Sequence, residues 1–309
     1  METSFLKKTV TSVIISGALL LSACSKKAND AEGAIPDSPD AAVQTIISEF
    51  AKGNGKIIWS ALPTSYQSDV NDLMHLVGSK TEKEVYDKSF SLFARLADII
   101  EQQKAFIANS ELIKKGPGEE PAQVEAKLPA LAGFMKTIAT SELSSTEGLR
   151  DFNGEVFFDT TVSECIEYLD ALGQLSVDGV KLEDYTNTVV SVIDSEGQQA
   201  TLLIAVPGQE AQKVVFTKVE NRWVPAEMES DWAMNFEKMT AALKAKSSEQ
   251  TEAQKTQVMG ALTVIEGILT KIETAKTQEQ FDESLKSAVL PAMSIFMMLS
   301  QAVGATDEP

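Results

Sequence analysis

Histidine and cysteine are scarce in this chain of 309 residues, and acidic residues outnumber basic ones. The one histidine is His75, which excludes catalytic triads that need histidine and metal sites built from several histidines. Lysine and arginine total 27 against 45 aspartates and glutamates, a formal net charge of −18 at pH 7. Because phosphate binding needs a basic surface, this charge argues against nucleic acid as a partner.

Motifs for phosphate or calcium binding are also missing. The stretch GNGK at residues 53–56 lacks the spacing of a phosphate-binding loop and the hydroxyl residue after lysine. The pairs Glu119-Glu120 and Asp307-Glu308 lack the ligand spacing of a calcium loop and are read as solvated charge. We therefore expect no catalytic residue, no cofactor and no metal site, while carboxylate pairs that meet only in space stay an open alternative.

The two cysteines, Cys24 and Cys165, have different surroundings. Cys165 lies in TVSECIEYLDAL, on the apolar side of a predicted helix, where a small buried side chain is expected. The alternative is a nucleophile paired with His75, which is otherwise predicted at a helix surface or boundary. If Cys24 is modified, Cys165 has no partner for an internal disulfide.

Cys24 follows a segment with the parts of a bacterial export signal. Lys7 and Lys8 are basic, and the apolar residues 9–21 are too few for an ordinary membrane span. The segment ends in Leu21-Ser22-Ala23-Cys24. This tetrapeptide resembles the lipobox of bacterial lipoproteins.

The resemblance implies cleavage between Ala23 and Cys24, so that residues 1–23 are a signal peptide. It also implies a diacylglyceryl group on the Cys24 sulfur and a further acyl chain, such as palmitate, on the new amine. Several acyl chains hold a protein stably on a membrane. In Gram-negative lipoproteins an aspartate after the cysteine commonly causes inner-membrane retention. Ser25 stands there, which implies the periplasmic face of the outer membrane, with residues 24–39 as a lipidated tether.

The rest of the chain predicts a mainly helical α+β protein. Apolar residues recur at helical spacing on both sides of a segment rich in β-branched residues. That segment predicts a four-stranded antiparallel meander packed by helices, with strands at 186–193, 199–206, 212–219 and 222–227. We predict an α+β domain over residues 40–228 and a C-terminal helical region over residues 229–309 packed on it. The latter would contain an antiparallel helical hairpin of residues 249–275 and 278–303.

Local signals predict where several helices begin. Ser38 is an N-cap candidate, and Pro39 after it is expected at the first helical position. Capping boxes are predicted at three pairs: Thr81 with Glu84, Thr161 with Glu164, and Thr277 with Gln280. In the first helix of the hairpin, the apolar residues in heptad register are Val258, Leu262, Ile265, Leu269 and Ile272.

One further resemblance involves SPDAAVQTIISEFAKGN together with the later segments ATLLIAV, KVVFTKV and NRWVPAEM. These residues resemble bacterial lipoproteins with the nuclear-transport-factor-like cone. The resemblance implies an opening helix inside a curved antiparallel sheet and a late strand that carries Trp223. About a hundred helical residues between the helix and the sheet, and a long helical tail, depart from that family's pattern.

Two C-terminal features have a core interpretation and a functional one. Met259, Met293, Met297 and Met298 could offer thioethers to copper(I), but core packing is the expected use of methionine at helical spacing. Residues 287–306 carry no charge and are long enough to cross a bilayer. Pro291 and the missing aromatic belt favour a buried hairpin helix instead.

Together these observations predict a lipid-anchored periplasmic protein without catalytic activity that acts as an interaction or structural module. Its partners would be the membrane, reached through the N-terminal lipid, and a protein. The alternative is a lipoprotein that binds a small apolar ligand in a pocket between the sheet and its covering helices.

Overall fold

The computed structural model describes residues 34–113, 120–175, 181–245, 248–289 and 291. Most of these residues are helical, and a single four-stranded sheet packs against helices within the described part of the chain. The predicted α+β, mainly helical fold is therefore confirmed.

The secondary structure elements follow one another in a simple chain order. The helices before the sheet are α1 (Pro39–Ala51), α2 (Lys56–Ala61), α3 (Thr64–Lys80), α4 (Lys83–Gln102), α5 (Lys104–Asn109), α6 (Pro121–Thr140), α7 (Thr146–Arg150), α8 (Gly154–Phe157), α9 (Ser163–Gln174) and α10 (Glu183–Thr186). The strands are β1 (Val189–Glu196), β2 (Gln199–Ala205), β3 (Gln212–Val219) and β4 (Arg222–Pro225). The helices after the sheet are α11 (Ala226–Ala245), α12 (Ser248–Glu273) and α13, which starts at residue 278 and is described to residue 289.

The sheet is an antiparallel meander in the order β1-β2-β3-β4. Short connections join its strands, and Gly197 and Gly208 supply positive φ angles in the first two of them. In the third turn Glu220 and Asn221 adopt positive φ angles. The predicted first strand begins three residues too early, because the short helix α10 occupies residues 183–186.

The chain divides into two compact units. Of the described residues, unit 1 contains 34–81 and those within 141–245, and unit 2 contains those within 82–140 and 248–291. This division differs from the predicted boundary at residue 228, because residues 82–140 group with the C-terminal helices rather than with the sheet.

The core of unit 1 lies between helix α1 and the sheet. Ala42 and Ile46 of α1 belong to one buried cluster with Leu202 and Phe216 of the sheet. Helix α1 begins as predicted with Pro39 in its first turn, and Gly53 at φ 87° follows its end. Hydrogen bonds join this region to the sheet, among them those from Val190 N to Gln44 Oε1 at 3.0 Å and from Trp223 Nε1 to Asp37 O at 2.8 Å.

Unit 2 is helical in its described part. Helix α4 packs against α6 and α12, and the buried residues Leu92 and Ile99 of α4 meet Leu262, Leu269 and Ile272 of α12. The heptad spacing on α12 predicted this buried face. Helices α12 and α13 follow one another through a short turn, and Phe281 of α13 joins the same cluster, in agreement with a helical hairpin. Residues 292–303 of the predicted hairpin lie outside the described residues.

Within the described ranges, no helix is both long and apolar enough to cross a membrane. Most of the uncharged run at residues 287–306 lies outside those ranges, so its interpretation as a buried helix stays a prediction.

Candidate functional site

The candidate site lies in unit 1, where α11 runs beside α3. Pro225 ends strand β4, and α11 begins at the next residue. Met228, Trp232, Phe236 and Met239 follow at spacings of four, four and three residues, which places them on one face of α11.

An aromatic stack holds this part of α11 against α3. The rings of Trp232 and Tyr66 have centroids 4.2 Å apart and are nearly parallel, at 7°. The indole Nε1 of Trp232 also donates a hydrogen bond to Asp69 Oδ2 at 2.8 Å. Trp232 therefore has both its apolar face and its polar atom fixed by residues of α3.

Beside the stack, residues of α3 and α11 line a groove of about 830 Å³. Its lining combines Val70 and Leu73 of α3 with the apolar face of α11 and with Pro225 at the end of the sheet. The volume falls within the range of about 300–1,000 Å³ that is common for small-molecule sites.

The apolar wall of the groove is accessible to solvent. Met228 is the one buried residue of α11, whose residues are all described. Trp232 and Phe236 are half-buried, and 46% of Met239 is exposed. An amphipathic helix normally covers its apolar face, so α11 presents apolar surface that unit 1 leaves open.

A polar line follows one edge of the groove. Glu227, Asp231, Asn235 and Lys238 line the groove and recur at spacings of four, four and three residues along α11. The acidic members lie at the end near Pro225, and the basic member lies farther along the helix. The groove therefore has an apolar wall, an acidic end and a basic side chain toward its other end.

Further carboxylates, outside the groove lining, lie around Tyr66. Burial raises the pKa of the Tyr66 hydroxyl, and the carboxylates of Glu229, Glu220 and Asp69 raise this pKa further. Each of these charges opposes formation of a negative phenolate. An additional anion would meet the same repulsion here.

Cys165 and His75, the nucleophile and its partner in the alternative interpretation, have the following surroundings. Burial, followed by the charge of Glu164, raises the pKa of the Cys165 thiol to about 11, so the thiol is protonated at neutral pH. Cys165 is half-buried, less than expected for a core residue. Half-buried His75 bonds through Nε2 to the carbonyl oxygen of Phe152 at 2.9 Å, and because a carbonyl only accepts, Nε2 donates.

Several predicted site residues lie outside the described residues: Ala23, Cys24, Glu119, Met293, Met297, Met298, Asp307 and Glu308. Lipidation at Cys24 and the core role of the C-terminal methionines stay predictions. Met259 packs, half-buried, against the core of unit 2. Among the residues that the structure describes, no group of three or more histidine, cysteine or acidic side chains could hold a metal ion.

The sequence contains one signal for the groove, which was not among the predictions. The apolar spacing of Met228, Trp232, Phe236 and Met239 is visible in the sequence, but it is the usual pattern of a core-facing helix. Sequence spacing alone does not reveal that this face stays open. The predicted pocket lay between sheet and helices, whereas the groove lies between two helices and takes only Pro225 from the sheet.

Comparison with known proteins gives no assignment of family. No protein-family model matches the chain, and neither a curated protein nor a solved structure matches it significantly.

Proposed function

We propose that this protein is a lipid-anchored protein of the periplasmic face of the outer membrane that binds a small apolar ligand between α3 and α11. The observation that carries the proposal is the groove of about 830 Å³ with its open apolar wall. The lipobox resemblance at residues 21–24 supports the membrane location.

The groove suits a small ligand for two physical reasons. Val70, Leu73, Phe236 and Met239 offer apolar surface whose removal from water would stabilise a complex by about 25 cal/mol per Å². The Trp232–Tyr66 stack and the hydrogen bond to Asp69 hold the wall in place without a ligand. A wall that is already formed costs less ordering entropy when a ligand binds.

Tryptophan substitutions at two neighbouring alanines provide a test of binding. Ala242 lines the groove, whereas its neighbour Ala241 is exposed and is not among the lining residues. Ala242→Trp should fill part of the groove and weaken binding of the neutral apolar dye N-phenyl-1-naphthylamine by at least about tenfold, the equivalent of about 1.4 kcal/mol. Ala241→Trp adds the same side chain outside the groove and should leave the dye affinity unchanged.

The dye titration uses the full chain with Cys24→Ala, which removes the predicted acylation site. Circular dichroism before titration checks that both tryptophan variants are folded. If the dye does not bind the parent protein, or if the two substitutions weaken binding equally, the groove is not the binding site and the proposal fails.

The interaction module is a second candidate function, and the outer surface of the sheet favours it. Val189 and Ile193 on the edge strand β1 are 61% and 47% exposed, and Val215 on β3 is 44% exposed. Exposed β-branched residues on an edge strand are typical of surfaces that pair with another chain. This surface belongs to the sheet and not to the groove lining, so Ala242→Trp would leave it intact and separates the two candidates.

A further inference from the structure

The groove of α3 and α11 is long, apolar and unevenly charged, and these properties indicate a class of ligand. We propose that it takes a single-chain amphiphile with a cationic head group, with the head at Glu227 and Asp231 and the hydrocarbon chain running toward Ala242. This inference rests on the proposed function, because it names the ligand class of the same groove.

The dimensions of the groove favour an extended ligand. Its lining on α11 runs from Glu227 to Ala242, fifteen residues later, which corresponds to about 22 Å along a helix. Phe236 and Met239 lie on this stretch, and Val70 and Leu73 face it from α3. An extended hydrocarbon chain could contact apolar side chains along the whole length, whereas a compact ligand would leave much of the wall in water.

The acidic end of the groove favours a positive head group. Glu227 and Asp231 are exposed and are four residues apart on one helix, so their carboxylates lie on the same face. Asp69, which accepts the Trp232 hydrogen bond, and Glu229 add negative charge nearby, as the raised pKa of Tyr66 reflects. A cation at this end would be attracted by several carboxylates.

The opposite part of the groove sets the direction of the ligand. Lys238 follows Asp231 by seven residues, about 10 Å farther along the helix. Its ammonium group would repel a cationic head placed toward Ala242 and has no such effect on a neutral hydrocarbon chain. The net charge of −18 on the whole chain also favours a cationic ligand over an anionic one.

Three probes with the same twelve-carbon chain test the inference: dodecyltrimethylammonium, dodecyl maltoside and dodecyl sulfate, each below its micelle concentration. Binding is measured as displacement of N-phenyl-1-naphthylamine from the full chain with Cys24→Ala. The cation should bind about fivefold more tightly than the neutral maltoside, as expected for exposed ion pairs, and the sulfate should bind most weakly.

Substitutions test whether the preference for the cationic probe arises in the groove. The double variant Glu227→Gln with Asp231→Asn should bind the cation no more tightly than the maltoside. Glu237→Gln removes one negative charge from the same helix at an exposed position outside the groove lining and should leave the preference unchanged.

The outcomes separate the ligand class from the groove itself. Equal affinities for the three probes, or a preference for the cation that survives the double substitution, would overturn the cationic class and leave apolar binding in place. If none of the probes displaces the dye, and Ala242→Trp has no effect on the dye, the proposed function fails together with this inference.

Discussion

At the scale of single residues, Gly154 shows how closely the core of unit 1 is packed. A Cβ atom added at Gly154 would lie 1.7 Å from Cη2 of Trp59, far inside van der Waals contact. Trp59 is fully buried and stacks on Phe158 at a centroid distance of 5.2 Å. The glycine therefore makes room for the Trp59 indole ring in this core.

We predict that Gly154→Ala lowers the free energy of unfolding of unit 1 by about 1–3 kcal/mol, the usual cost of overpacking a core. Urea unfolding followed by tryptophan fluorescence measures this change, because Trp59, Trp223 and Trp232 all lie in unit 1 and the chain has three tryptophans.

Gly260→Ala serves as the control for this substitution. Gly260 lies within helix α12 with open space around the position of a Cβ atom, so alanine there should stabilise unit 2 by about 1 kcal/mol. Unfolding followed by circular dichroism measures the stability of the Gly260→Ala variant. An unchanged tryptophan transition in the Gly154→Ala variant would show that Trp59 can move at little cost.

Sequence reasoning had no means to find the contact between Gly154 and Trp59. The two residues are 95 positions apart, and nothing in the local pattern FNGEVFF specifies a distant partner. The same limit applies to the Trp232–Tyr66 stack, since only the fold brings α11 beside α3. The Gly154–Trp59 contact and the Trp232–Tyr66 stack both depend on how the fold brings distant residues together.

At the scale of elements, periodicity predicted the meander and the long helices, but the predicted helix starts were less accurate. The capping box expected at Thr81 and Glu84 is wrong, because Glu82 is the N-cap and its carboxylate accepts from Glu84 N. The box expected at Thr161 and Glu164 is also wrong, because Thr161 lies within a π-helical turn at residues 158–162 that continues into α9.

The capping box predicted at Thr277 and Gln280 is present in part. Thr277 Oγ1 accepts from Gln280 N at 3.2 Å, but the Gln280 side chain returns to Lys276 N rather than to Thr277 N. Capping motifs identify candidate helix starts, and the path of the incoming chain decides which candidate is used.

The start of α4 carries a charge cluster with a defined pH dependence. Lys255 of α12 lies 2.9 Å from both Glu82 and Glu84. The Lys255 hydrogen bond lowers the pKa of Glu82 below its ordinary value of 4.5, and the carboxylates of Glu84 and Glu82 raise the pKa of Lys255 above 10.5.

The direction of each pKa shift defines the pH range in which the cluster stabilises the fold. A lowered carboxylate pKa contributes stability above pH 4.5 that is lost as the pH falls through the lower folded-state value. A raised ammonium pKa contributes stability below pH 10.5 that is lost as the pH rises through the higher folded-state value. The cluster should therefore stabilise unit 2 between these limits.

We predict that Lys255→Met destabilises unit 2 at neutral pH and that the difference from the parent protein disappears on acidification well below pH 4.5. Denaturant unfolding followed by circular dichroism at several pH values measures the difference. Lys286→Met removes the same charge from the exposed surface of α13 and should show a smaller effect at neutral pH. A Lys255→Met effect that persists in acid would mean that lost packing, not charge, is responsible.

At the scale of the whole molecule, the two units have separate hydrophobic clusters. The cluster around Trp59 and Phe216 draws on unit 1, and the cluster around Leu262 and Phe281 draws on unit 2. The sequence indicated both groups of elements but not the division. Among the described residues, unit 2 combines helices α4 to α6, which precede the sheet segment, with helices α12 and α13, which follow it. Such discontinuous units leave no boundary signal in composition.

The membrane anchor is also a property of the whole molecule. We predict that the mature protein begins at acylated Cys24 and that Cys24→Ala releases it from the membrane fraction, because the acyl chains supply the anchoring free energy. Intact-mass spectrometry of the mature protein and fractionation of the variant test this prediction. Cys165→Ala is the matched control and should leave the protein in the membrane fraction. A mature chain that starts elsewhere or lacks acyl groups would contradict the lipobox assignment.

The central claim, that the groove of α3 and α11 holds an apolar ligand, is tested most directly by native mass spectrometry of the full chain purified from its own membrane. We predict a discrete noncovalent mass of a few hundred daltons on the parent protein and on Ala241→Trp, and loss of that mass on Ala242→Trp. A parent protein without added mass, or an added mass that survives Ala242→Trp, would contradict the claim.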